Sequence, residues 1–174
     1  MPHMQDPYFR RAVVFICEHN KDGALGFIVN KPFETLELQD LFSDFFPDDD
    51  DILKLVPDVY FGGPVLVERG IVLHSADYKI ENTIAIGNDF SLTSNKTIIK
   101  EIAEKKGPKH SKLMLGRAGW AQYQLEAEIE NGDWLLQHTN LDFIFNTEEK
   151  FMWDMATKSF GINMSEFSGL GGSA

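Results

Sequence analysis

Two apolar runs near the start of the chain restrict what it can build. Ala12, Val13, Val14, Phe15, Ile16 and Cys17 are continuous and rich in β-branched residues, the mark of a strand buried on both faces. Leu25, Gly26, Phe27, Ile28 and Val29 follow, after a turn at Asn20-Lys21-Asp22-Gly23 in which Gly23 can take a positive φ. The pair predicts an antiparallel hairpin with a four- or five-residue loop. Pro32 stops the pairing because it has no N–H to give. A chain that opens on a hairpin does not suit a doubly wound sheet, whose parallel strands are separated by helices.

The remaining pattern agrees. Short strands are expected at residues 59–61, 70–74, 83–86, 113–116 and 134–136. Helices are expected over residues 36–45, where Leu38, Leu41, Phe42 and Phe45 share a face, and after Ser94, an N-cap for a helix carrying Ile98, Ile99, Ile102 and Ala103. Gly107-Pro108 ends that second helix. A third helix carries Leu125 and Ile129 and closes at Asn131-Gly132. The last starts near Thr147, turns Phe151, Met152, Met155 and Ala156 to the core, and ends at Gly161. Strands cluster rather than alternate with helices, which gives an α+β fold with a mixed, mostly antiparallel sheet. One domain over residues 1–164 is expected, followed by a loose Ser/Gly-rich tail at 165–174.

Several function classes are disfavoured. The formal net charge is −11, whereas nucleic-acid binding rests on Lys and Arg neutralising phosphates. The cluster Lys100, Lys105, Lys106 and Lys109 sits at an expected helix C-terminus, where the helix dipole favours cations in any case. Direct nucleic-acid binding is therefore not expected. No apolar run approaches the ~20 residues of a membrane span, and no basic segment with an apolar h-region opens the chain, so a cytoplasmic protein with no membrane partner is expected. Cys17 is the single cysteine, which excludes an intrachain disulfide. The run Asp48-Asp49-Asp50-Asp51 lacks the alternating ligands of a calcium loop and reads as a solvated acidic loop.

Few residues suggest chemistry. Cys17 and His19 are two apart on an expected strand and so share a face, roughly 6–7 Å apart by strand rise. With His74 at another strand end they suggest either a histidine-activated thiol or a zinc site. The plainer alternative, a buried inert cysteine beside a structural histidine, is favoured because no acyl-transfer signature surrounds Cys17. Gly62-Gly63-Pro64 allows close backbone approach, as an anion-binding nest or as a tight turn, the turn being favoured. Trp120 and Gln124 border a pocket or simply anchor the core.

A set of ordered segments carries a resemblance. Asp6-Pro7-Tyr8-Phe9, Cys17-Glu18-His19, Gly23-Ala24-Leu25-Gly26, Asn30-Lys31-Pro32 and Gly62-Gly63-Pro64-Val65 come first. Val72-Leu73-His74, Leu92-Thr93, residues 115–120 from Leu115 to Trp120, and Gln124-Leu125-Glu126 with Glu128-Ile129 follow. In this order the chain resembles the AlgH/YqgE-like family of bacterial proteins over almost its whole length. The resemblance implies a branched mixed sheet curled toward a pseudo-barrel, with helices packed outside. It implies no defined activity. Members often carry the label of transcriptional regulator, yet no helix-turn-helix with a basic recognition helix is found here. The family usually has an apolar strand ahead of its Met-Pro step, so a late gene start or a shortened chain would leave one strand missing. Arg117 stands where the family more often carries an aromatic residue, which puts any pocket contact of that ring in doubt.

Together these residues define one expected binding cleft: Cys17, Glu18, His19, Asn30, Gly62, Gly63, Pro64, His74, Gly119, Trp120, Gln124 and Glu126. The expectation is a non-catalytic binding or regulatory protein for an unidentified small molecule or protein, with no cofactor, no catalytic residue and no metal. The alternative is a small hydrolytic or transfer enzyme using Cys17 or His19.

Overall fold

A computed structural model describes residues 6–33 and 59–161. The expected helix at 36–45, the acidic run at 48–51 and the tail at 165–174 lie outside the described residues. The opening hairpin is formed by β1 (Val14–Asn20) and β2 (Gly23–Ile28). Its loop is shorter than expected, with only Lys21 and Asp22 between the paired Asn20 and Gly23. Asn20 Oδ1 accepts the Asp22 N–H at 2.8 Å, and Gly23 takes φ +137°, which together close the chain in two residues.

β3 (Val59–Phe61), β4 (Val65–Ser75), β5 (Thr83–Ile86) and β6 (Phe90–Thr93) follow. After α1 (Thr97–Ala103) comes β7 (Ser111–Ala121), on which the sheet is organised. The strand order is β1-β2-β7-β4-β6-β5, antiparallel throughout, while β3 pairs parallel with β7. On the β7 edge opposite β4, residues 113–115 pair with β3 and residues 118–121 pair with β2. That division is the branch in the sheet, which curls into a half-barrel flanked by helices α1, α2 (Gln124–Glu130), α3 (Leu141–Asn146) and α4 (Glu149–Lys158).

Both faces of the sheet are covered. Phe15, Phe27, Val29, Leu73, Phe90 and Met114 meet Ile144 of α3 and Met152 of α4 on one face. Val59, Val72, Leu113 and Leu115 meet Ile98 and Ile99 of α1 on the other. A third cluster joins Ala24, Ala118 and Trp120 to Leu125 of α2. Among the described residues one charge lies inside. Lys112, 3% exposed, places Nζ 2.8 Å from Glu149 Oε1, 3.3 Å from the Val29 carbonyl and 3.9 Å from the centre of the Tyr60 ring. The Tyr60 hydroxyl donates to the same Glu149 oxygen at 2.7 Å.

Four expectations are corrected. Residues 134–136 form no ladder; Trp134 instead turns its ring edge onto Phe9 and Trp120. Ser94 does not cap α1, which starts three residues later, and Asn95 Oδ1 accepts the Thr97 N–H at 3.0 Å. The core face of α4 is Met152, Trp153 and Thr157, while Phe151 and Met155 are exposed. Glu149 is tied to Lys112, and Arg11 lies 4.8 Å over the Trp153 ring; these two contacts set the helix rotation. Finally, β6 and α3 form where no complete element was expected.

Candidate functional site

The feature that shapes the site is a discontinuity between β4 and β7. Val65 pairs with Arg117 and Gly70 with Leu115, so β4 advances five residues while β7 advances two. The three extra residues swell out as a bulge, with Leu66 at φ +53°. Beside it the backbone crosses itself closely. A Cβ on Gly62 would meet the Gly116 carbonyl oxygen, and one on Gly63 would meet the Arg117 backbone. Gly63 and Gly116 also hold φ of +147° and +72°, values that glycine adopts without strain. The Gly62 N–H donates to the Leu115 carbonyl at 2.7 Å, and the Ile28 N–H donates to the Gly62 carbonyl at 2.8 Å. The Gly62-Gly63 turn is therefore a packing device that lets β3 and β4 cross β7.

Leu66, Glu68 and Arg69 of the bulge form part of the wall of the half-barrel. Behind it is a groove of about 810 Å³, within the range of small-molecule sites. Its walls include Leu25 and Phe27 of β2, Ile71 of β4, Ile86 of β5, Leu92 of β6 and Leu115 of β7. Arg69 from the bulge and Arg117 from β7 also line it. Neither guanidinium has an ion pair or a side-chain hydrogen bond among the described residues. Glu18, Glu68 and Lys96 complete the charged lining. Glu18 accepts from Asn20 Nδ2 at 2.6 Å.

A second bulge, between Ile16 and Glu18, decides which expected residues reach this groove. Past it, Glu18 pairs with Leu25 and His19 with Ala24. Cys17 and Glu18 consequently both line the groove, and His19 goes to the opposite face, where its Nε2 meets Glu126 Oε1 at 2.7 Å in an exposed pair. The expectation that Cys17 and His19 share a face is thereby corrected: it assumed an unbroken strand. The Cys17 thiol points to the Phe15 carbonyl at 3.7 Å, and burial pushes its pKa up to about 12.

The other expected residues are built into the framework. His74 is fully buried, with Nδ1 2.8 Å from the Ser75 carbonyl and Nε2 2.9 Å from Thr93 Oγ1. Burial lowers its pKa, against the opposing effects of the Ser75 bond and Asp77. With both nitrogens engaged, His74 neither approaches Cys17 as a base nor offers a metal a lone pair. Among the described residues no three His, Cys, Asp or Glu side chains are grouped to hold a metal. Asn30 accepts the Val13 N–H at 2.7 Å and donates to the Arg11 carbonyl at 2.9 Å, fixing the entry to β1. Pro64 and Gly119 are exposed.

Glu126 is taken by His19, and Trp120 and Gln124 belong to a separate cluster organised by Glu128. Its Oε2 accepts from the indole N–H groups of Trp120 and Trp134, each at 2.8 Å, and its Oε1 accepts from Gln124 Nε2 at 2.8 Å. Of the twelve expected cleft residues, only Cys17 and Glu18 line the groove, so the structure does not gather the set at one place. The sequence reading missed Arg69 altogether and noted Arg117 only as a departure from a pattern. That departure was the one available signal.

Comparison with known proteins places the chain. The sequence profile described as AlgH-like matches residues 1–165. A UPF0301 protein of Marinomonas sp. (strain MWYL1) is 39% identical over 170 residues, covering 97% of this chain and 89% of that protein. The UPF0301 protein YqgE of Salmonella paratyphi B is 35% identical over 177 residues, covering 100% and 95%. Among solved structures, the AlgH protein of Pseudomonas aeruginosa matches with a TM-score of 0.76 at 32% identity, covering 100% of this chain and 92% of that one. A Corynebacterium diphtheriae protein shares the fold at 19% identity and a TM-score of 0.67, covering 91% and 82%.

Proposed function

The chain belongs to the AlgH-like family, and from that starting point we propose that it is a non-catalytic cytoplasmic binding protein whose half-barrel groove takes up a small organic molecule. The observation that carries this reading is the groove itself: about 810 Å³, walled by aliphatic and aromatic side chains, with a few charged groups at its rim. Binding sites of this kind need preformed apolar volume and a small number of polar contacts, and here most of both comes from the strands of the sheet, with Lys96 from the connection into α1.

Burial supports binding over catalysis. A thiol held near pKa 12 is overwhelmingly protonated at neutral pH, and the nucleophile in thiol chemistry is the thiolate. His19 is paired elsewhere and His74 is enclosed. A regulatory role would then be exercised through the liganded state and a protein partner. Direct contact with DNA has the charge of −11 against it.

The test is titration with N-phenyl-1-naphthylamine, an uncharged apolar fluorophore that brightens on leaving water. Saturable enhancement is expected with the wild-type protein. Ala85→Trp, an exposed groove-lining position, should abolish it, and Glu130→Trp, on the far end of α2, should not. Absence of saturation, or equal binding by Ala85→Trp, overturns the reading.

A further inference from the structure

We infer that the groove is selective for a single-chain amphipathic acid, an apolar body carrying a carboxylate or phosphate head, with Arg69 and Arg117 gripping the head. The inference rests on the groove being a ligand site and adds the chemical class of the ligand.

Three observations converge on it. First, the two guanidiniums stand without ion-pair or side-chain hydrogen-bond partners among the described residues of a chain with 27 acidic and 16 basic residues. Carboxylates are abundant here, yet none of the described ones pairs with either arginine. Outside the groove, Arg11 is matched, at 2.8 Å from Asp154, while the exposed Arg10 is not ion-paired among the described residues. Second, the arginines come from neighbouring strands whose pairing is displaced by the three-residue bulge, and both line the groove. A planar guanidinium offers forked donors that suit a carboxylate or phosphate oxygen pair. Third, the walls below are apolar, from Leu25, Phe27, Ile71, Ile86 and Leu92. A head group alone would leave that surface empty, and a neutral hydrocarbon would leave the arginines unused.

The acidic lining residues bound the claim. Glu18 is held by Asn20 Nδ2. Glu68 neighbours Arg69 in the bulge, is exposed, and lowers the field at the mouth without neutralising both arginines. Removing its charge should tighten anion binding, whereas it would loosen the hold on a cation.

The experiment is calorimetric titration of the full chain with four probes: decanoate, decanol, decyltrimethylammonium and acetate. Decanoate should bind one-to-one and more tightly than decanol by about ten-fold or more, the least that one charge-assisted hydrogen bond contributes. Acetate and the ammonium amphiphile should bind at least that much more weakly than decanoate. In the Arg69→Gln/Arg117→Gln variant the preference of decanoate over decanol should vanish while decanol binds as before. Glu68→Gln should strengthen decanoate binding, and weakened binding in that variant would overturn the inference. Should the double variant fail to fold, Arg69→Gln alone serves, because that side chain is exposed, and a partial loss of preference is then expected.

Equal binding of decanoate and decanol by the wild-type protein, or a preference that survives the arginine substitutions, overturns the anion inference while the groove reading stands. Failure of decanoate and decanol alike removes the groove reading as well. Capture by anionic phosphatidylglycerol vesicles without binding of monomeric decanoate would also overturn the inference, assigning the arginines to a lipid surface.

Discussion

The buried lysine gives the sharpest test of the energetic argument. Lys112 is 3% exposed and faces Glu149, whose side chain is 31% exposed. The two halves of the pair therefore fare differently when the other is removed. Lys112→Met keeps the length and apolar volume of the stem and takes away an ammonium whose desolvation costs several kcal/mol. Glu149 retains the Tyr60 hydroxyl at 2.7 Å and enough exposure to recover water. The lost charge-assisted bonds, about 1.5–3 kcal/mol each, and the recovered desolvation nearly cancel, so the net loss should be about 1–2 kcal/mol. Glu149→Leu is the opposite case. It leaves the ammonium enclosed without its carboxylate, and the loss should be about 3–5 kcal/mol. In a domain of this size that is roughly 6–20 °C in Tm. Urea unfolding followed by tryptophan fluorescence measures both, together with the double variant, which should be more stable than Glu149→Leu alone. If Lys112→Met proves as damaging as Glu149→Leu, the reasoning from unequal burial is wrong. Acid should reveal the same pair. Burial acts to raise the Glu149 pKa, but the bonds from Lys112 and Tyr60 prevail and hold it below its ordinary value. Its contribution is thus complete above about pH 4.5 and is lost as pH falls through the lowered folded value.

Three further outcomes are expected. Gly63→Ala should cost about 3 kcal/mol or more in urea unfolding or prevent folding, because φ is +147° and the new Cβ meets the Arg117 backbone; Gly119→Ala, with nothing near its Cβ, should stay within about 1 kcal/mol of wild type. For His74 the folded pKa lies below the ordinary 6.5, so the folded state binds fewer protons than the unfolded one, and stability should fall as pH drops below 6.5 and level off beneath the folded value; that component of the pH slope should be missing from His74→Phe, though the variant is less stable overall. Glu128→Leu should cost about 2–4 kcal/mol and shift tryptophan emission, since the indoles of Trp120 and Trp134 lose their shared acceptor.

What could be read in advance were features that local sequence decides. The β1–β2 hairpin follows from two apolar runs and one turn, and Gly23 does take the positive φ assigned to it. Isolated apolar runs were less informative: Trp134-Leu135-Leu136 looks like a strand, yet aromatic contacts with Phe9 and Trp120 claim Trp134 before any ladder forms. The groove was illegible because bulges make it. The expected strand covered only residues 70–74, so the stretch from Val65 to Arg69, with its three extra residues opposite β7, was not read as part of the sheet. The slip after Ile16 likewise reversed the side on which His19 emerges. Side-chain alternation holds only while a strand stays in register, so beyond the bulge Glu18 still reaches the groove while His19 emerges on the face opposite to the one expected. Arg69 and Arg117 are 48 positions apart, and only the finished sheet brings them to one rim.

The branch on β7 also dictates an order of events during synthesis. β1 and β2 leave the ribosome early and can pair with each other, but the partners for the second edge of β2 are residues 118–121, nearly a hundred positions later. β3 waits similarly for residues 113–115, and β4 for residues 111–117. Until then the nascent chain carries open strand edges with apolar faces, the surfaces that holdase chaperones recognise and that aggregate at high expression. Truncation anywhere before Ala121 should accordingly leave no folded remnant, and emergence of that one segment should let three waiting strands close together.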